Sequence, residues 1–246
     1  MARGIGSEFM RLTRHAHLEI SEQRLGRPEP PPVEPAAGES DAQPLPDPGA
    51  TRALAPDFHD LVTRRVSRRR YAESPLTQRE LSFLLWCTQG VKDIPGGTVT
   101  LRTVPSAGAR HAFETLLLVR RVEGLAPGLY RFDPPAHALR ALPAPADLSE
   151  RLTAACYGQA CAGAGAVAFL WVAIPRRMTW RYGERGYRYL HLDAGHVAQN
   201  LYLAAEAIGA GACAIAAFDD QAIDALLGLD GERAFLIYLA AVGKKP

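Results

Sequence analysis

Five arginines crowd into positions 64–70 of RRVSRRRY, and their alternation with Ser67 is the first chemical signal in the chain. In an extended segment alternate residues face one side. Arg65, Ser67 and Arg69 would then turn two guanidinium forks and a hydroxyl toward one anion, a geometry that suits a phosphate. A solvated basic face or a nucleic-acid patch is the plainer reading of such a run. The second signal is the loop Pro105, Ser106, Ala107, Gly108 in RTVPSAGARHAFE. A loop so poor in side chain either turns tightly or lets something flat lie on the backbone. The third is RRMTWRYGERGYRY at 176–189, where Arg181 and Tyr182 sit in a run of Arg and Tyr that either covers the core or lines a cleft above it. Of three lysines, Lys244 and Lys245 close the chain, as a frayed basic tail or as an anion contact.

The elements that must position these groups centre on 188–218. Leu190, Ala194, Val197, Leu201, Ala204 and Ile208 recur at steps of four and three, the stripe of a long helix. Leu192, Ala198, Leu203, Ala205 and Ala207 carry apolar character onto its other faces, so burial almost all round is expected, between layers or between subunits. Gly209 and Gly211 stop it, since a left-handed cap needs no Cβ. A short strand follows over 212–218, whose small residues Ala214, Ile215, Ala216 and Ala217 would let a planar ligand reach the backbone. A plain core helix feeding a core strand is the alternative. Before these, a folded domain is expected from Ala53, opening on a helix with Leu54, Phe58, Leu61 and Val62 on one face. Thr77 and Glu80 form a capping box for a core helix ending at Gln89-Gly90. TLLLVRRV, GLYRFD and ALRALP read as antiparallel strands, and AVAFLWVAI at 166–174 reads as a central strand. Short helices are expected at 148–156 and after Asp219, with a last strand at 234–242.

The first nine residues, MARGIGSEF, read as a cloning remnant, which makes Met10 the natural start. Residues 10–52 form a leader: a charged piece, 11–25, suited to a short helix, then the Pro-rich 26–49, which lacks the apolar side chains of a core and should be extended. It is either disordered or an arm across a partner surface. The folded domain is 53–246. A formal net charge of +2 gives no electrostatic footprint for nucleic acid. No apolar run approaches a membrane span. Cys87, Cys156, Cys161 and Cys213 lack paired spacing and read as buried, reduced thiols of a cytoplasmic protein. His191 and His196 point apart on a helix, and no other group has metal-ligand spacing, so no metal is expected.

Together these pieces resemble the nitroreductase superfamily, and within it the SagB-type dehydrogenases, over 62–245. RRVSRRRY is similar to the family's R-x-S-x-R-x-[FY] opening, LTQRELSFLLWCTQGV to its first core helix, RTVPSAGARHAFE and EGLAPGLYRFDPPAHALRAL to its flavin-facing loop and hairpin, and LDAGHVAQNLYLAAEAIGAGACAIAAF to its dimer helix and following strand. The resemblance implies an α+β fold, a mostly antiparallel sheet flanked by helices, in an intertwined homodimer with FMN in two interfacial clefts. It implies that Arg65, Ser67 and Arg69 hold the phosphate and pyrimidine ends of FMN, with Lys244 as a second phosphate contact. Residues 214–217 would lie by the isoalloxazine, with an N–H reaching N5, and 105–108 would close the cleft from the other subunit. NAD(P)H would be a possible donor. The SagB-type likeness implies dehydrogenation of thiazoline or oxazoline rings in modified peptides. Generic nitro or quinone reduction and a non-catalytic flavin-binding subunit are the other readings. Enzymes of the azoline-oxidising group carry a Lys-Tyr pair where this chain has Arg181-Tyr182. Arginine stays protonated near neutral pH, so a proton-shuttling role falls to Tyr182, or to no residue.

Overall fold

A computed structural model describes residues 4–33, 36–49, 57–97 and 99–246. Its strands are β1 (Gln43–Pro44), β2 (Val91–Asp93), β3 (Leu101–Arg102), β4 (Phe113–Val119), β5 (Gly128–Asp133), β6 (Ala138–Leu142), β7 (Val167–Ala173), β8 (Ala210–Ile215) and β9 (Phe235–Lys244). Its helices are α1 (Ile5–Leu12), α2 (Phe58–Arg64), α3 (Gln78–Gln89), α4 (Leu148–Ala155), α5 (Ala160–Ala164), α6 (Pro175–Tyr182), α7 (Gly186–Ala207) and α8 (Asp220–Leu227). Seven strands form one sheet in the order β1-β6-β5-β4-β7-β9-β8, and each pairing is antiparallel. The apolar run of β7 is buried at every position because it lies mid-sheet with both faces covered.

Alternation along the strands splits the core in two. Leu117, Phe169 and Trp171 face the α3 and α7 layer, while Leu116, Leu170 and Val172 face α4 and α8. Thr77 and Glu80 close the expected capping box on α3, and Asp219 caps α8. Gly209, at φ 69°, takes the left-handed position that ends α7 and turns the chain into β8. Among the described residues, no helix is long and apolar enough to cross a membrane.

Three expectations need correction. Burial of α7 is one-sided in a single chain: Leu190, Asp193, Ala194, Val197 and Leu201 are buried, but Leu192 is 59% exposed and Gly195, His196 and Gln199 face outward. The helix expected over 11–25 lies earlier, at α1, and takes in part of the segment read as a remnant. The Pro-rich leader lies along this chain's own body. Ser40 N–H donates to Ala141 O at 2.9 Å, Arg131 Nε donates to Glu39 at 2.8 Å, and β1 adds an edge strand to β6. Polar backbone and Glu39 make most of that attachment, with Leu45 packed against the core, and one bulky residue in a Pro-rich stretch is too little for composition to reveal it. The expected domain start at Ala53, and Leu54, lie outside the described residues. Helix α6 was not anticipated, because Arg and Tyr obscure its period; Arg177, Met178 and Trp180 are its buried face.

Candidate active site

The arginine run meets β8 edge-on. Ser67 bridges Ala212 in parallel, and Arg68 N–H donates to Ala212 O at 2.9 Å. From α7, Tyr202 gathers three of the expected residues. Its Oη lies 3.0 Å from Ser67 Oγ and accepts the Ala214 N–H at 2.8 Å, and the Arg65 guanidinium sits 5.3 Å from its ring centroid. Among the described residues neither Arg65 nor Arg69 enters a salt bridge, whereas Arg64 is held by Asp60. Arg68 turns inward, 3.6 Å from Glu206, and a Cβ on Gly211 would collide with its Cδ, so any other residue there would have to displace the Arg68 side chain. Arg69 is exposed, beside Cys213 and Tyr71; burial raises the pKa of both groups, and the Arg69 charge partly opposes it. One cation without a salt bridge, Arg65, a hydroxyl and small residues thus meet at Tyr202 near the end of β8, while Arg69 lies with Cys213 and Tyr71, which belong to the other core layer. These residues fit the phosphate end of a flavin nucleotide.

The small-residue loop sits at the other end of α7. Ser106 Oγ donates to Asp193 Oδ2 at 2.5 Å, Ala107 N–H reaches Asp193 Oδ1 at 3.3 Å, and Ser106 Oγ accepts the His111 N–H at 2.9 Å. Burial raises the Asp193 pKa, and its bonds to Ser106 and Ala107 oppose that shift. Gly108 has φ 58°, and a Cβ there would stand 2.5 Å from Tyr182 Oη and 3.1 Å from Arg181 Nε. Loop and Arg181-Tyr182 pair are therefore packed together by a glycine that has no room for a side chain. Tyr182 stacks edge-on against Tyr189 at 4.8 Å, and Arg181 lies 5.6 Å from the Tyr182 ring.

The structure thus makes two groups of the expected residues: Arg65, Ser67 and Ala214 at one end of α7, and Ser106, Ala107, Gly108, Arg181 and Tyr182 at the other. Asp193 and Tyr202 are nine positions apart on this helix, about 14 Å at 1.5 Å per residue. Ala216 and Ala217 are exposed beyond β8, and Ile215 points into the core. Lys244 is half-buried and bridged to Glu80, which also completes the α3 cap. Lys245 is likewise paired with Glu206. Asp57, His59 and Asp60 bring ligand atoms within 4.8 Å of one another, but the first caps α2 and the last holds Arg64. Sequence reasoning missed Asp193 and Tyr202. Asp193 was legible as an acid on the apolar stripe between Leu190 and Val197; Tyr202 carried no local signal.

The chain matches the model of the Nitroreductase family over residues 62–244. A Methanocaldococcus jannaschii protein named as a nitroreductase is 36% identical over 188 residues, covering 76% of this chain and 91% of that protein. A structure named as a nitroreductase from Anabaena variabilis is 31% identical with TM-score 0.65, over 77% of this chain and 38% of that one. The chain therefore spans well under half of that longer protein. The E. coli microcin synthetase McbBCD complex, with truncated pro-MccB17 bound, shares the fold at TM-score 0.64 and 20% identity, over 97% of this chain and 86% of the matched one. The chain belongs to the nitroreductase family, and with it to the flavin-dependent oxidoreductases.

Proposed function

We propose that the protein is an FMN-dependent dehydrogenase of the SagB type, acting as a homodimer that oxidises thiazoline or oxazoline rings in modified peptides. The observation that carries the dimer and the site together is the separation of two half-sites along one helix. One chain presents the anion-holding end near Tyr202 and the Arg181-Tyr182 end near Asp193. Two copies of α7 packed antiparallel would bring one chain's anion-holding end to the partner's loop. The exposed side of α7, with Leu192, and the exposed Phe58 and Val62 of α2 supply an apolar surface for that contact. Bound FMN would accept the hydride released as the ring becomes aromatic. Tyr182 would relay the proton lost in the same step, its hydroxyl accepting it while passing its own proton on toward solvent, and Arg181, charged throughout, would hold negative charge nearby. Arg65, Ser67 and Arg69 would anchor the phosphate and pyrimidine ends, with the backbone at 214–217 beside the ring system. Lys244 would have to leave Glu80 to contribute.

The shared fold of the microcin synthetase component supports the peptide reading. The 36% identity to a protein named as a nitroreductase favours a second reading, NAD(P)H-dependent reduction of nitro or quinone compounds. The test is purified protein reconstituted with FMN, followed by stopped-flow of the two flavin half-reactions. Wild type should be bleached by an azoline peptide. Tyr182→Phe should bind FMN normally but be bleached about 10²–10⁴-fold more slowly. Bleaching by NADPH and recolouring by nitroaromatics, with azolines inert, would favour the reductase. A bound flavin inert to every reductant would leave a flavin-binding subunit.

A further inference from the structure

The N-terminal segment is clamped across the Arg181-Tyr182 end of the molecule. Arg185 donates to Thr13 O at 2.9 Å, Arg188 Nε to Thr13 Oγ1 at 2.6 Å, and Gln23 N–H to Trp180 O at 2.9 Å. Trp180 Nε1 returns a bond to Arg27 O at 2.9 Å, and Arg177 Nε reaches Pro31 O at 2.9 Å. Residues 13–31 thereby form a strap over α6 and the first turns of α7. Between strap and helix lies a cavity of about 380 Å³, lined by Leu18, Glu19, Gln23 and Arg24 from the strap and by Arg181 and Tyr182 from α6.

Among the described residues, Arg24, Arg181 and Glu19 enter no salt bridge, although neighbouring Arg176, Arg177 and Arg110 all do. Two uncommitted guanidinium groups face one cavity, and Glu19 at the same wall offsets one of the charges. With His15, which also lines the cavity, counted as neutral at pH 7, a net charge of about +1 suits a single carboxylate better than a doubly charged phosphate. We infer that this cavity is a substrate subsite for an organic carboxylate, with Arg24 and Arg181 as its anion-holding pair and the strap as its outer wall. Such a group is available on a peptide as an acidic side chain or a C-terminus. The inference rests on the reading that places the reaction beside Tyr182, and it gives the N-terminal segment a role in substrate choice.

The probes are 4-nitrobenzoate and its neutral methyl ester, with binding measured by calorimetry on FMN-loaded and flavin-free protein. Wild type should prefer the acid. Arg24→Ala should weaken 4-nitrobenzoate about threefold to tenfold and leave the ester unchanged. Glu19→Gln should tighten the acid, and Arg14→Ala, at an exposed strap arginine outside the cavity, should do nothing. Equal losses for acid and ester in Arg24→Ala, or no loss for either, would overturn the subsite. So would an Arg24→Ala variant that loses only a preference for NADPH over NADH, since the anion would then be the donor's phosphate. Failure of the protein to bind FMN would sink the proposed function. The preference for the acid in flavin-free protein would still decide the subsite.

Discussion

At the scale of single residues, the site is built from charges with and without partners. Arg64 and Arg68 are committed to Asp60 and Glu206, whereas Arg65 and Arg69 enter no salt bridge among the described residues. His111, beside the Ser106 loop, shows what burial does when one hydrogen bond is too little to offset it. It is 6% exposed with φ 43°, and burial together with the charges of Arg102 and Arg110 lowers its pKa to about 3 from 6.5, against a ring hydrogen bond to the Thr100 backbone. A histidine depressed in the folded state is protonated first in the unfolded chain. Its stabilising share is therefore complete above pH 6.5 and is lost as pH falls toward 3. The loss at pH 5 should be about 2 kcal/mol. Urea unfolding at pH 8 and pH 5 should show His111→Asn, whose side chain tolerates positive φ, losing about that much less than wild type. Equal losses in both proteins would remove His111 from the acid response.

At the scale of elements, α7 is the ruler of the site, because its buried stripe fixes where Asp193 and Tyr202 emerge. Asp193 ties α7 to the loop through Ser106 and Ala107. Asp193→Ala leaves two donors without an acceptor, at a cost of about 1–3 kcal/mol. Hydrogen exchange should rise over 105–111 and stay unchanged over α3, whose cap is independent. Faster exchange spread evenly over the whole chain would show global destabilisation rather than release of a local latch.

At the scale of the molecule, the proposed dimer accounts for the exposed apolar side of a helix whose opposite side is core. Leu192→Arg places a charge there without touching any residue named in the site. Light scattering should show a shift from dimer to monomer, and FMN affinity should fall by at least about tenfold because each site would lose its second half. A monomer that binds FMN as tightly as wild type would mean that one chain holds the flavin alone.

The sequence by itself determined strands β4 to β9, the long helix, its glycine stop and the caps, though not the edge strand β1 or the β2–β3 pair, because apolar period and capping chemistry act within a few residues of chain. The family followed from motifs in order along the chain. It also placed Arg65, Ser67, Gly108 and Tyr182 as candidates, since each sits in a local pattern. Tertiary structure decided which of them meet. The contacts of Tyr202 with Ser67 and Ala214, of Asp193 with Ser106, and of Lys244 with Glu80 join positions far apart in the chain. The N-terminal strap was illegible for the same reason: Thr13, Arg27 and Pro31 are held through backbone or hydroxyl groups that any polar stretch possesses. Only the fold puts Arg185, Trp180 and Arg177 within reach of them.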